Sequence, residues 1–340
     1  LEIEFMDRPL LAASEFDPWV REVRVAARKS ALAFAITSAL TVSLAESVHG
    51  QAFPSQLELS QLDGTNGFVI NGEAADDRLG YSVSSAGDIN GDGVDDLIVG
   101  APFSESPLAN AGRSYVLFGA TSAFPAVFDP STLDGTNGFI VNGESITDRS
   151  GGAVASAGDV NNDGIDDLII GARRADSSAS NAGKSYLVFG SDKGFPASVD
   201  LASLDGSNGV VLLGEAAEDD SGSAVAAAGD VNGDGIDDVI IGARFADPNG
   251  EGSGRSYVIF GSDTPFSASI DLSLLDGLNG FAIDGEAEGD ESGVSVSGAG
   301  DVNGDGIGDL LIGARRADIN GADSGRAYVI FGSTTAFSSP

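Results

Sequence analysis

The stretch Asp88-Ile89-Asn90-Gly91-Asp92-Gly93-Val94-Asp95-Asp96 decides how this chain is read. Asp88, Asn90, Asp92 and Asp96 stand at positions 1, 3, 5 and 9 of a short loop, with Gly93 at position 6 and Val94 at position 7. Alternate side chains of a tight loop converge on one point, and hard cations take several oxygen ligands of this kind. Position 7 offers its backbone carbonyl, so valine is no obstacle there, and glycine at position 6 permits the sharp turn. A flexible set made wholly of protein oxygens suits calcium better than magnesium, which keeps its waters and demands strict octahedral geometry.

The stretch recurs. DVNNDGIDD begins at Asp159, DVNGDGIDD at Asp230 and DVNGDGIGD at Asp301, each 71 residues after the last. The equivalent oxygen donors are Asp159, Asn161, Asp163, Ile165 and Asp167, then Asp230, Asn232, Asp234, Ile236 and Asp238, then Asp301, Asn303, Asp305, Ile307 and Asp309. One such stretch could be an Asx-rich turn and nothing more. Four in register, each crowding carboxylates that repel one another without a cation, point to about four calcium ions, one per repeat. An EF-hand needs a bidentate Glu at position 12 and flanking helices. Position 12 here is Val99, Ile170, Ile241 or Ile312, inside an apolar run, so the loops join strands.

Working outward, each unit carries the same punctuation. LDGTNGF opens at Leu62, with counterparts at Leu133, Leu204 and Leu275, and Gly-Glu pairs follow at Glu73, Glu144, Glu215 and Glu286. Four strands are expected per unit: the small-residue run YSVSSAG (81–87), the apolar runs DLIVGA (96–101) and SYVLFG (114–119), and GFVING (67–72), which alternates like a half-exposed edge. A Ser/Ala/Gly-rich strand in every unit suits the centre of a β-propeller, where blades converge, and has no reason in an array of β-sandwiches. The fold class is therefore all-β, a propeller of four-stranded blades with calcium-binding loops between strands. The 48 glycines of the 340 residues agree with many tight turns.

The formal charge of −35 excludes nucleic acid as a partner and disfavours anionic membranes. There is no cysteine, and the one histidine, His49, lies in a leader (1–52). Arg21, Arg24, Arg28 and Lys29 precede an apolar stretch at 31–45, and small residues follow, as in a secretory signal peptide. An uncleaved anchor is the competing reading, although the stretch is short for a membrane span. Residues 53–340 then form the mature repeat domain, with neither thiol nor imidazole chemistry and no membrane insertion of its own.

The order Leu79-Gly80-Tyr81-Ser82-Val83, calcium loop, Gly100-Ala101-Pro102 and GRSYVLFG resembles the FG-GAP repeat of integrin α-subunit propellers, over roughly residues 57–340. The resemblance implies blades whose calcium loops lie between first and second strands, on one face of the disc. Two departures stand out. Of the FG dipeptide only Gly80, Gly151, Gly222 and Gly293 survive, and GAP becomes GAR at 171–173, 242–244 and 313–315. Those arginines are expected either free in solvent or paired with loop carboxylates. The family propeller also has more blades than the four units seen here. Either the reading frame is truncated or the ring incomplete, which is favoured because repeat-end caps are absent, or the leading strand 67–72 closes onto the fourth unit.

The expected function is a secreted or cell-surface adhesion and protein-interaction module, integrin α-like, with structural calcium. Its partner would be an extracellular protein or glycan. A lectin-like propeller is the alternative, weakened because the mature chain has no Trp and four of its five Tyr sit in the third strand. A carboxylate hydrolase is weaker still. Glu73 and Asp77 recur in every unit, as Glu144 and Asp148, Glu215 and Asp219, Glu286 and Asp290, whereas catalytic pairs are unique in a chain.

Overall fold

The computed structural model describes residues 55–335, so the leader and its apolar stretch lie outside the described residues. The repeats belong to a compact unit that starts at Leu62. The described residues before it contain one short 3-10 turn, Leu59–Gln61. Everything else of regular structure among the described residues is strand or one of three further 3-10 turns.

The first unit opens with β1 (Val69–Ile70) and continues through β2 (Ser82–Gly87), β3 (Asp96–Ala101), β4 (Arg113–Leu117) and β5 (Val127–Phe128). The second runs from β6 (Gly138–Asn142) through β7 (Ala153–Gly158), β8 (Asp167–Ala172) and β9 (Lys184–Val188) to β10 (Ser198–Asp200). The third comprises β11 (Gly209–Leu213), β12 (Ala224–Gly229), β13 (Asp238–Ala243), β14 (Arg255–Ile259) and β15 (Ser269–Asp271). The fourth has β16 (Gly280–Asp284), β17 (Ser292–Gly300), β18 (Asp309–Ala314) and β19 (Arg326–Ile330).

Blades do not coincide with units. The antiparallel trio β2-β3-β4 takes its fourth strand, β6, from the second unit, with Tyr115 opposite Ile140. β11 completes β7-β8-β9, and β16 completes β12-β13-β14. Each blade is thus locked by hydrogen bonds to the unit that follows it. β1 pairs in parallel with β5, Val69 opposite Val127, and among the described residues β19 has no fourth strand. The ring-closure reading is therefore not what the chain does. β10 and β15 add in parallel to β6 and β11, and β5 does the same to β1.

That fifth, parallel strand corrects the expectation of a half-exposed outer edge. Where β10 pairs alongside β6, Ile140 is half-buried and Asn142 buried, while Phe139 and Val141 face the interblade core. β16 has no such cover, and there the alternation persists: Ala282 and Asp284 are exposed.

The core lies between blades. Ile98 and Val116 of the first blade pack into one cluster with Leu168, Ile170 and Tyr186 of the second. Sequestering such side chains contributes about 1.5–3 kcal/mol each. At the two ends of the array no other described residue covers the equivalent positions: Val83 and Leu97 are exposed on the first blade, Leu311 and Val329 on the fourth.

The glycine retained from the FG dipeptide has two jobs. Gly151, Gly222 and Gly293 have φ of 81°, 80° and 83°, a left-handed conformation that costs other residues about 1–2 kcal/mol. Their carbonyls also stand where a Cβ on Gly100, Gly171 or Gly242 of the preceding blade would have to go. Glycine facing glycine lets neighbouring blades approach near the axis.

Candidate functional site

Each calcium-type loop connects the first and second strands of a blade. In the first loop Asp88 accepts the Asp92 N–H through Oδ1 at 2.9 Å and the Gly93 N–H through Oδ2 at 2.8 Å. Asn90 Oδ1 also accepts from Asp92 N, and Asp92 Oδ1 accepts from Val94 N, both at 2.9 Å. The side chains at positions 1, 3 and 5 therefore all fold inward over the loop. Asp159, Asn161 and Asp163 repeat the pattern, as do Asp230, Asn232 and Asp234, and Asp301, Asn303 and Asp305. Position 4 must be left-handed for this, and is Gly91, Gly233 and Gly304, or Asn162 with φ 56°.

Position 9 is held differently from the first three. Asp96 is fully buried. Its Oδ2 accepts from Ile89 N at 3.0 Å and its Oδ1 from Gly119 N, beyond β4, at 2.7 Å. Asp167, Asp238 and Asp309 make the same pair of bonds, to Val160 and Gly190, to Val231 and Gly261, and to Val302 and Gly332. Sequence reasoning assigned these residues only to the metal. The structure adds an independent task, stapling the loop to the third strand.

Burial, and then the charges at positions 5 and 1 of the same loop, push Asp96 up to about 6, Asp167 to about 8 and Asp238 to about 7. Among the described residues no group of three or more acids or histidines is arranged as a metal centre by itself. Counting acids understates these loops, because one donor is an asparagine and another is the carbonyl at position 7. Each hydrogen-bonded carboxylate oxygen also keeps a second lone pair. Donor chemistry of this kind, with a buried carboxylate crowded by two others, fits a divalent cation.

Position 8 was missed from sequence. Asp166 Oδ2 accepts the Asp88 N–H at 2.8 Å, and Asp237 Oδ2 accepts the Asp159 N–H at 3.1 Å, so the first loop is tied to the second and the second to the third. Ser191, Ser262 and Ser333 add bonds from the following blade to the carbonyls of Ile89, Val160 and Val231, each at 2.9 Å. The Asp-Asp doublet in three of the four loops was the available signal.

A family model for the FG-GAP repeat matches residues 79–117, 150–188, 221–259 and 292–330, one match for each trio of inner strands. The chain carries four FG-GAP repeats. Among its relatives, phosphatidylinositol-glycan-specific phospholipase D of Bos taurus is 35% identical over 179 residues, covering 52% of this chain and 20% of that protein. Integrin alpha pat-2 of Caenorhabditis elegans is 31% identical over 274 residues, 76% of this chain and 20% of its own. Integrin alpha-5 of Xenopus laevis is 27% identical over 259 residues, 75% and 21% respectively. The chain spans about a fifth of the length of these relatives.

The opposite ends of the FG-GAP strands hold the recurring acids. Glu144 Oε2 receives the Lys184 ammonium and the Tyr186 hydroxyl, each at 2.8 Å. Glu73 does the same with Arg113 and Tyr115, Glu215 with Arg255 and Tyr257, and Glu286 with Arg326 and Tyr328. These are clamps between one blade's outer strand and the next blade's third strand. Asp148 and Asp219 are buried nearby and pushed up to about 6, mainly by that burial. The arginines of the GAR triplets also lie here and pair with acids other than those of the metal loops, which corrects the expectation. Arg173 and Arg244 reach Asp220 at 3.1 and 3.3 Å, and Arg315 and Arg316 reach Glu291 at 2.6 and 2.9 Å.

Proposed function

We propose that the protein is a secreted or cell-surface interaction module of the adhesion type, in which four calcium ions hold the blades rigid and the opposite loop face engages an extracellular ligand. Asp88, Asn90, Asp92, the Val94 carbonyl and Asp96, with their equivalents in the other three loops, would hold the ions. Calcium would supply charge neutralisation and stiffness. The observation that carries the reading is the bond from the Asp88 N–H to Asp166 in the next loop, repeated from Asp159 to Asp237. Ordering one loop then orders its neighbour.

The module is read as non-catalytic, because its recurring carboxylates are tied to Lys, Arg and Tyr in every unit. The likeness to a phospholipase D covers only a fifth of that protein. Similarity to integrin α-subunits and the leader at 1–52, with its apolar stretch at 31–45, support an extracellular site of action. No helix among the described residues is long and apolar enough to cross a membrane.

Thermal unfolding with excess calcium and then with a chelator tests the proposal. A large fall in midpoint on chelation is expected, since a ligand of the native state stabilises by mass action. An unchanged midpoint would remove the metal from the reading. Calcium-dependent hydrolysis of any glycan or phosphodiester would overturn the non-catalytic assignment.

A further inference from the structure

We infer that the first two blades, on the face away from the metal loops, bind the acidic group of a sulfated or uronate-bearing glycan through Arg78 and Arg149. The inference rests on the extracellular-module reading and names its ligand class.

The turn that enters each blade keeps one backbone shape while its side chain changes. Arg78, Arg149, Asp220 and Glu291 occupy the same repeat position and all have left-handed φ, 56°, 59°, 53° and 52°. In the third and fourth units the acid at this position neutralises the arginines around it. Asp220 meets Arg173, Arg174 and Arg244, and Glu291 meets Arg315 and Arg316. In the first and second units the position is itself arginine. Every other arginine among the described residues has a carboxylate partner, including Arg113, Arg255 and Arg326. Arg78 and Arg149 have none.

Both guanidinium groups instead lie on one ring, 4.2 and 4.9 Å from the centroid of Phe103. Tyr81, 51% exposed, meets the same ring edge-on at 6.1 Å. Arg149 is half-buried, and burial together with the charges of Arg173, Arg174 and Arg78 holds it below the usual arginine range. Two unpaired cations side by side are costly anywhere. In a chain with 52 acidic and 17 basic residues, carboxylates to pair with them were abundant. A site that keeps its cations free is complementary to an anion from outside.

The aromatic neighbours favour a glycan over an acidic peptide. An exposed ring edge beside guanidinium groups offers an apolar surface for sugar C–H groups and charge for an acidic substituent. Peptides are commonly held through free backbone donors at a sheet edge or nest. Here the N–H groups of Gly80, Tyr81, Arg149 and Gly151 are already bonded within the protein. Recognition falls to side chains: Arg78 and Arg149 stand where the other two units carry acids, and the first unit supplies Tyr81 and Phe103 beside them.

The test is calorimetric titration of the calcium-loaded chain with a sulfated oligosaccharide, a uronate oligosaccharide, the desulfated form of the first, and oligoglutamate. Either or both acidic sugars should bind, identifying sulfate or carboxylate as the group recognised, and the desulfated sugar should bind weakly. The double variant Arg78→Asn, Arg149→Asn should weaken binding at least about tenfold, while Arg149→Lys retains most of it and Lys193→Asn, at an exposed residue outside the site, changes nothing. Asparagine tolerates the left-handed backbone and breaks no ion pair, so the variants should fold. Equal binding of the desulfated sugar, an unaffected double variant, or no binding to either acidic sugar would each overturn the site. Oligoglutamate binding as tightly, and lost in the same variant, would reassign it to an acidic peptide. Calcium-dependent melting of the same samples reports on the module reading separately, so a stable calcium-loaded fold that ignores glycans sinks only the inference.

Discussion

Asp166 Oδ2 lies 2.8 Å from the backbone nitrogen of Asp88, a hydrogen bond across 78 residues that joins two metal-type loops on neighbouring blades. The carboxylate caps the N–H of the residue that begins the preceding loop. In the fourth loop the equivalent residue is Gly308, and its own N–H donates to the Asp230 carbonyl at 2.7 Å instead. The metal-type loops are therefore parts of the blade-to-blade contact.

Replacing Asp166 by Ala should leave the Asp88 N–H without its partner and destabilise the calcium-loaded protein by about 1–3 kcal/mol. Calcium affinity of the first loop should fall while the fourth is untouched. Chemical denaturation and calcium titration of the variant measure both. An unaltered affinity would mean that the loops are energetically independent.

Without calcium, stability should rise as pH falls from about 8 to about 5. Folding raises the pKa of buried Asp148 and Asp219 to about 6, and of Asp96, Asp167 and Asp238 to about 6, 8 and 7. The native state thus binds protons more tightly than the unfolded chain. Stability from these groups is complete below their unfolded pKa and is lost as pH rises through the folded values. Carboxylates shifted down, such as Glu144 beside Lys184, titrate below this window. Calcium needs the ionised loop carboxylates, so its stabilising effect should grow from pH 5 to pH 8. Melting curves across that range with and without chelator check both slopes.

Gly222→Ala should cost about 3 kcal/mol or more, because it adds a Cβ at φ 80° beside Gly171 and Lys184. The effect is on blade packing and should be equal with and without calcium.

Glu144→Gln should weaken the clamp on Lys184 and Tyr186 by about 1–3 kcal/mol. Calcium binding should be unchanged, since the clamp lies at the far end of the strands. A variant that lost calcium instead would contradict the separation of the two faces.

The 71-residue period, the three inner strands and the tight loops whose side chains at positions 1, 3 and 5 fold inward were legible from sequence, because short-range spacing determines them. A turn's hydrogen bonds close within a few residues, as Asp88 does with Asp92 and Gly93, and an apolar run such as 96–101 reports its own burial. The family resemblance lay in the same local pattern.

Long-range contacts decided the rest. The partner of β4 is a strand from the next unit, β10 covers an edge that looked half-exposed, and Asp96 serves β4 as well as its loop. Arg78, Phe103 and Arg149 span 71 residues and meet on one ring only because blades pack side by side. Local periodicity specifies what each unit forms. Which atoms of successive units touch depends on the angle and closeness of blade packing, and those arise only when the whole array is assembled.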